Sequence, residues 1–193
     1  MGNDFITALR PAIVMTILFA LLLGIGYPLT MTGIGQAIFP EQANGSLVRD
    51  ANGSVIGSTV IGESFTSDRY FDTRPSAAGK GYDGLASSGS NYGPTSRALA
   101  DRVRADVAKA HNAGISTIPA DLVTASGSGL DPDLSPAAAY AQAPRVARVR
   151  RLSVTQVRAL IGAQTARPIA GFLGEERVNV LALNLALDRL GTH

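Results

Sequence analysis

The stretch TASGSGLDPDLSP, residues 124–136, gathers the residue types from which an anion site or a metal site is built. Small glycine and serine steps offer successive backbone N–H groups. A helix opening at Ser135 would add the positive end of its dipole. A nucleotide-binding P-loop, however, needs a Lys and then a Ser or Thr after its last glycine, whereas Leu130 and Asp131 follow Gly129 here. Asp131 and Asp133 would repel a phosphate unless a divalent cation sat between them. On residues alone the stretch reads as a structural turn that starts a helix, with a phosphate cradle as the alternative.

The other reactive side chains give no constellation. There is no cysteine, which removes thiolate nucleophiles, disulfides and Cys-ligated zinc. The two histidines, His111 and His193, form neither a zinc site nor a triad. Asp68, Asp72 and Asp83 lie in one polar stretch without a spacing that marks an acid and base pair. No catalytic residue and no metal site is assigned. Arg145, Arg148, Arg150 and Arg151 are the densest basic run; they read as a solvated helix surface, or alternatively as a docking face for an acidic partner. Seventeen Lys and Arg against fifteen Asp and Glu give a net charge of +2, which argues against nucleic acid as a partner.

These residues must be positioned by a short list of elements. From Pro11 to Pro40 no charged side chain interrupts the chain, and about 20 apolar residues suffice to cross a bilayer. Length favours an anchor over a cleaved signal peptide. Pro28 inside the run predicts a kink, and Gly24, Gly26, Gly33 and Gly35 would let another helix approach closely. The expected organisation is a stub over 1–10, a transmembrane helix over 11–38 and a soluble domain over 39–193. Arg10 and Asp4 in the short stub hardly vote on orientation; the simplest reading keeps the stub inside and the domain outside.

Beyond the span, Asn52-Gly53 reads as a two-residue hairpin turn. Residues 66–95 look like one long ordered loop, of a length that is usually functional. A helix capped by Thr95 or Ser96 follows and stops at Gly114. A short strand is expected over Ala120 to Ala125. Ser135-Pro136 opens a helix that runs into Pro144, and Ser153 caps another. The tail VNVLALNLALDRL favours helix from about Asn179. Strands early and helices late predict a mixed α/β domain, extracytoplasmic and anchored by one N-terminal transmembrane helix.

Several blocks in order carry a resemblance along nearly the whole chain: LRPAI at 9–13, FPEQANGSL at 39–47, RYFDTRPSA at 69–77, SGSNYGPT at 88–95, DLVTASGSGLDPDLSPAAA at 121–139, PRVARVR at 144–150 and RVNVLALNLALD at 177–188. The chain resembles the C chain of the Kdp potassium-transporting ATPase of bacteria and archaea, the KdpC family. The resemblance implies a non-catalytic, single-span accessory subunit of a high-affinity potassium pump in the cell inner membrane. Its partners would be a potassium-translocating A subunit, an ATP-hydrolysing B subunit, a very small F peptide and the lipid bilayer. One view of the family makes the C chain a catalytic chaperone that raises the ATP affinity of the B subunit in a ternary complex. That view would carry Ser126, Gly127, Ser128, Gly129, Asp131 and Gln142 over as nucleotide-chaperone candidates, with ATP bound only together with the B subunit. The other view places the domain outside the cell, over the potassium entry side of the A subunit. A loop outside the membrane cannot touch cytoplasmic ATP, so any effect on ATP affinity would then pass through coupled conformations. Two departures bear on these expectations. Glu41 stands where the family commonly has Trp, and Ala141 precedes Gln142 where an aromatic residue is usual.

Overall fold

The computed structural model describes the backbone of residues 2–168 and 170–190, with side chains from residue 6 onward; His193 lies outside the described residues. The chain divides into two compact units between Leu47 and Val48.

The first unit is helical. Helix α1 (Gly2–Leu21) passes through one π-helical turn, Leu22–Gly26, into α2 (Tyr27–Ile38), and α3 (Pro40–Ala43) follows. Residues Ile6–Ile38 are long and apolar enough to cross a membrane. Pro28 accounts for the π turn. A proline has no N–H to return to the preceding turn, and a wider turn is one way a helix absorbs that loss. Here the Tyr27 N–H reaches back five residues to the Leu22 carbonyl. The expected kink is thus a local change of helical pitch. Cβ atoms added at Gly24 or Gly33 would meet nothing within 4 Å, so both present open helix surface.

The second unit mixes short strands with helices. Strands β1 (Leu47–Arg49) and β2 (Val55–Ser58) pair in a two-stranded sheet. Their turn is one residue longer than expected: the Asp50 N–H bonds the Ser54 carbonyl at 2.9 Å, leaving residues 51–53 as the loop, with Gly53 at φ 82°. The chain then runs without helix to α4 (Arg97–Asn112), which Ser96 caps and Gly114, at φ 84°, terminates. The strand expected over Ala120–Ala125 is absent. A 3₁₀ turn, Ala120–Leu122, replaces it, because the Asp121 carboxylate turns back to accept the Ser135 N–H at 2.7 Å.

Helix α5 (Pro136–Arg150) opens as expected, the Ser135 hydroxyl accepting the Ala138 N–H at 3.1 Å. It does not end at Pro144 but carries it inside. Pro144 faces outward, so water can satisfy the carbonyl it leaves free, while its neighbours Ala143, Val146 and Ala147 are buried. Arg151, in the left-handed region at φ 58°, ends the helix. Helix α6 (Val154–Gln164) starts from a Ser153–Gln156 capping box. Strands β3 (Asp133–Leu134), β4 (Thr165–Ala166) and β5 (Arg177–Asn179) form an antiparallel sheet in the order β3-β5-β4, so strands are not confined to the early chain. Helix α7 (Val180–Leu190) follows β5 directly. The core lies where α5, α6 and α7 meet this sheet; Ile161, Val178, Leu183, Leu187 and Phe71 are fully buried in it. Each large apolar side chain there is worth about 1.5–3 kcal/mol of burial. The whole is a mixed helix and sheet fold with one long N-terminal apolar helix as candidate membrane span.

Candidate functional site

Alanines on α5 keep its inner face flat, and the irregular segment 68–74 lies against it, tied down by side chains from two helices. The Gln142 amide accepts the Asp72 N–H at 2.8 Å and donates to the Asp72 carbonyl at 3.1 Å. The Asn184 amide treats Phe71 in the same way, at 2.9 and 3.1 Å. Arg145 donates to the Asp68 carbonyl and to Gln142 Oε1, both at 2.8 Å, and lies 3.4 Å from Asp72 Oδ2. Arg150 donates to the Arg69 carbonyl at 2.8 Å, pairs with Asp188 at 2.7 Å and stacks over the Tyr70 ring at 4.7 Å. The carbonyls of residues 68, 69, 71 and 72 are therefore held by four side chains that α5 and α7 supply.

This corrects the reading of the basic run. Arg145 and Arg150 are not solvated: their side chains are 5% and 3% exposed, and both serve as anchors for the segment above them. Arg148 and Arg151 remain exposed.

The glycine-serine loop is packed under the same long segment. Ser87 and Ser88 both bond the Ser128 carbonyl at 3.0 Å. Ser76 donates to the Gly129 carbonyl at 2.6 Å, and the Gly62 N–H to the Leu130 carbonyl at 2.8 Å. Gly129 sits at φ 68°, and a Cβ there would lie 2.6 Å from both Ala78 N and Ser88 O. Three N–H groups of the stretch turn back onto it. Gly129 N bonds Ser126 O, Leu130 N bonds Ser128 Oγ, and Asp133 N bonds Asp131 Oδ1. Asp131 also takes a 2.7 Å ion pair from Arg74, whose Nε reaches the Thr124 carbonyl.

Two hollows flank these contacts. One of about 250 Å³ is lined by Gln142, Arg145, Asp72, Tyr82 and Lys109, with apolar walls including Phe65 and Leu122. None of Ser126, Gly127, Ser128, Gly129 or Asp131 lines it, so the candidate residues are not brought together; Arg74, paired with Asp131, and Ser76, bonded to the Gly129 carbonyl, link the loop to this hollow. The other, about 650 Å³, lies at the start of α5 and carries Asp121, Asp131, Asp133, Glu175 and Glu176 against Arg74 and Arg177. Five carboxylates outnumber the two arginines, Arg74 is paired with Asp131, and the half-exposed Arg177 lies 3.1 Å from Asp133 through its Nε. An anion approaching the mouth of α5 thus meets carboxylates first.

Burial pushes the Asp72, Asp106 and Asp133 carboxyls above the usual carboxylate range. Arg145 and Lys109 pull Asp72 the other way, and Arg102 and Lys109 do so for Asp106, without overcoming it. Burial likewise raises the Tyr82 phenol, whose hydroxyl donates to the Arg74 carbonyl. Among the described residues no group of three or more His, Cys, Asp or Glu is arranged to hold a metal ion. Asn184 and Asp188 escaped the sequence reading. Their signal was there: two polar residues four apart on one side of a largely apolar helix, Asn184 buried and Asp188 half-exposed.

A family model described as KdpC: K+-transporting ATPase, c chain, matches residues 9–189. The potassium-transporting ATPase KdpC subunit of Caulobacter vibrioides (strain NA1000 / CB15N) is 59% identical over 182 residues, covering 93% of this chain and 92% of that one. The KdpC subunit of Acidobacterium capsulatum is 56% identical, with 94% and 98% covered, and that of Myxococcus xanthus 50% identical, with 98% and 89% covered.

Proposed function

Starting from a chain that belongs to the KdpC family, the c chains of K+-transporting ATPases, we propose that it is a non-catalytic accessory subunit that stabilises the pump's assembly and supports high-affinity potassium uptake. Hydrolysis then falls to the B subunit and translocation to the A subunit, with the small F peptide completing the complex. The apolar helix is its single anchor in the inner membrane, with Gly24, Gly26, Pro28 and Gly33 on faces open to a neighbouring helix and the domain from residue 39 outside the cell.

One observation carries the accessory reading. The polar side chains expected to take a nucleotide are occupied within the chain: Gln142 by Asp72 and Arg145, Asp131 by Arg74 and Ser128 Oγ by the Leu130 N–H, while the carbonyls of Ser128 and Gly129 are taken by Ser87, Ser88 and Ser76. These residues thereby hold a rigid scaffold on which partner surfaces can form. A direct chaperone, contacting ATP through Gln142 and the loop in a ternary complex with the B subunit, would have to break those bonds first. Purification of the pump through a tag on this chain tests the reading. The A and B subunits should accompany it, and cells without the chain should fail to grow on micromolar potassium; normal growth would sink the proposal. ATP affinity of the whole complex that falls on Gln142→Ala, with the domain's melting temperature unchanged, would favour the direct chaperone instead.

A further inference from the structure

Among the described residues, most exposed large apolar side chains of the second unit stand singly, and Val60 with Ile61, at 60% and 41%, form the less exposed of two adjacent pairs. The connection between β4 and β5 is different. Phe172 and Leu173 stand side by side, 82% and 62% exposed. Their position is built by the backbone: the Gly171 N–H closes a turn on the Pro168 carbonyl at 3.1 Å, and Ala170, Gly171 and Gly174 take φ of 55°, 81° and 103° around the pair. Ala170 holds a left-handed conformation that disfavours any side chain, so local backbone preference does not explain the tip. Antiparallel pairing of Thr165 with Val178 and of Ala166 with Arg177 fixes its base to the core sheet.

Charge selects what covers it. Glu175 and Glu176 follow the pair after Gly174, are exposed, and line the hollow at the start of α5 with Asp121, Asp131 and Asp133, so that five carboxylates outnumber Arg74 and Arg177 in the hollow and Arg167 at the other foot of the tip. An anionic lipid surface would repel this neighbourhood. A protein cleft with an apolar floor and a lysine or arginine rim would complement it. We propose that the β4–β5 tip is a docking wedge, inserting Phe172 and Leu173 into an apolar, basic-rimmed cleft on another protein subunit of the pump. The proposal rests on the reading of this chain as an assembled subunit.

The test uses the full chain in the detergent-extracted complex. Phe172→Ser with Leu173→Ser should leave the domain's melting temperature unchanged and speed loss of the partner subunits on dilution about tenfold or more, as expected when two large side chains stop being buried. Leu85→Ser, at a fully exposed solitary leucine, should have no such effect. Glu175→Lys with Glu176→Lys should weaken association through the rim alone, which keeps the test alive if the apolar variant misfolds. A photo-crosslinking phenylalanine analogue at position 172 should capture another pump subunit. Unchanged partner retention in both double variants would overturn the proposal, as would crosslinks at position 172 only to lipid or only to a second copy of this chain. A wild-type chain that brings down no other subunit would instead overturn the assembly reading beneath it.

Discussion

Gln142 and Asp72 are joined twice, amide oxygen to backbone N–H at 2.8 Å and amide nitrogen to backbone carbonyl at 3.1 Å, as two strands would be. Asn184 repeats the pattern one residue earlier, on Phe71. Two neighbouring residues of an irregular segment thus gain sheet-like pairing from side chains, one on each of two helices. Both amides are almost fully buried, at 1% and 2% exposure, so neither exchanges its partners for water cheaply.

Gln142→Leu keeps the volume but strips partners from the Asp72 backbone and from Arg145. The cost should be about 3 kcal/mol, read as a lower melting temperature of the chain without any nucleotide present. Asn184→Leu should cost a similar amount. Because the two amides hold consecutive residues, the double variant should be less destabilised than the sum, with a coupling of about 1 kcal/mol in a double-mutant cycle. An unchanged melting temperature for Gln142→Leu would mean that its bonds to Asp72 contribute nothing, leaving ligand contact as its role.

Gly129 makes the opposite kind of demand, for absence of a side chain. Gly129→Ala should destabilise by about 2 kcal/mol or more, since both its left-handed φ and the backbone of Ala78 and Ser88 oppose a Cβ. Gly127→Ala is the control: its added Cβ meets nothing within 4 Å, and its melting temperature should stay near that of the parent chain. Equal effects at the two positions would refute the packing account of this loop.

Local signals made parts of this architecture readable in advance. Ser96, Ser135 and Ser153 each announce a helix because a cap is a contact between residues only two or three apart. The sheet β3-β5-β4 was not readable, since strands of two and three residues are too short to show a period. Pro144 misled because exposure of one residue, not sequence, decides whether a helix tolerates it. The anchoring role of Arg145 was hidden for another reason: its carbonyl partner, Asp68, lies 77 residues away. The resemblance supplied Gln142 and the glycine-serine loop as residues of interest, but only the bond network gives them a physical task.

The buried carboxyls set a pH dependence whose sign follows from their direction. Asp72, Asp106 and Asp133 hold protons more tightly folded than unfolded, so their contribution to stability is complete below the ordinary value of 3.8 and is lost as pH rises through the higher folded values. Asp106→Asn removes one such group while keeping its shape. Its melting temperature should fall less than the parent's between about pH 4 and 7. A steeper fall would show that the Asp106–Arg102 pair, at 3.7 Å, outweighs the burial cost.

Sidedness decides whether the loop at 126–131 can ever meet cytoplasmic ATP, and the chain's lack of cysteine makes the measurement clean. Ser128 is a poor place for a reporter, because its hydroxyl accepts the Leu130 N–H and its carbonyl anchors Ser87 and Ser88. Gly127 is exposed, and an added Cβ there points into open space. Gly127→Cys should therefore fold and support potassium uptake while presenting one reachable thiol. A membrane-impermeant maleimide should label it on intact cells if the proposed outside position of the domain holds, and any influence on ATP affinity must then travel through coupled conformations of the pump. Labelling only after lysis, with an external control thiol reacting normally, would put the domain inside and return the phosphate reading of the glycine-serine loop to contention.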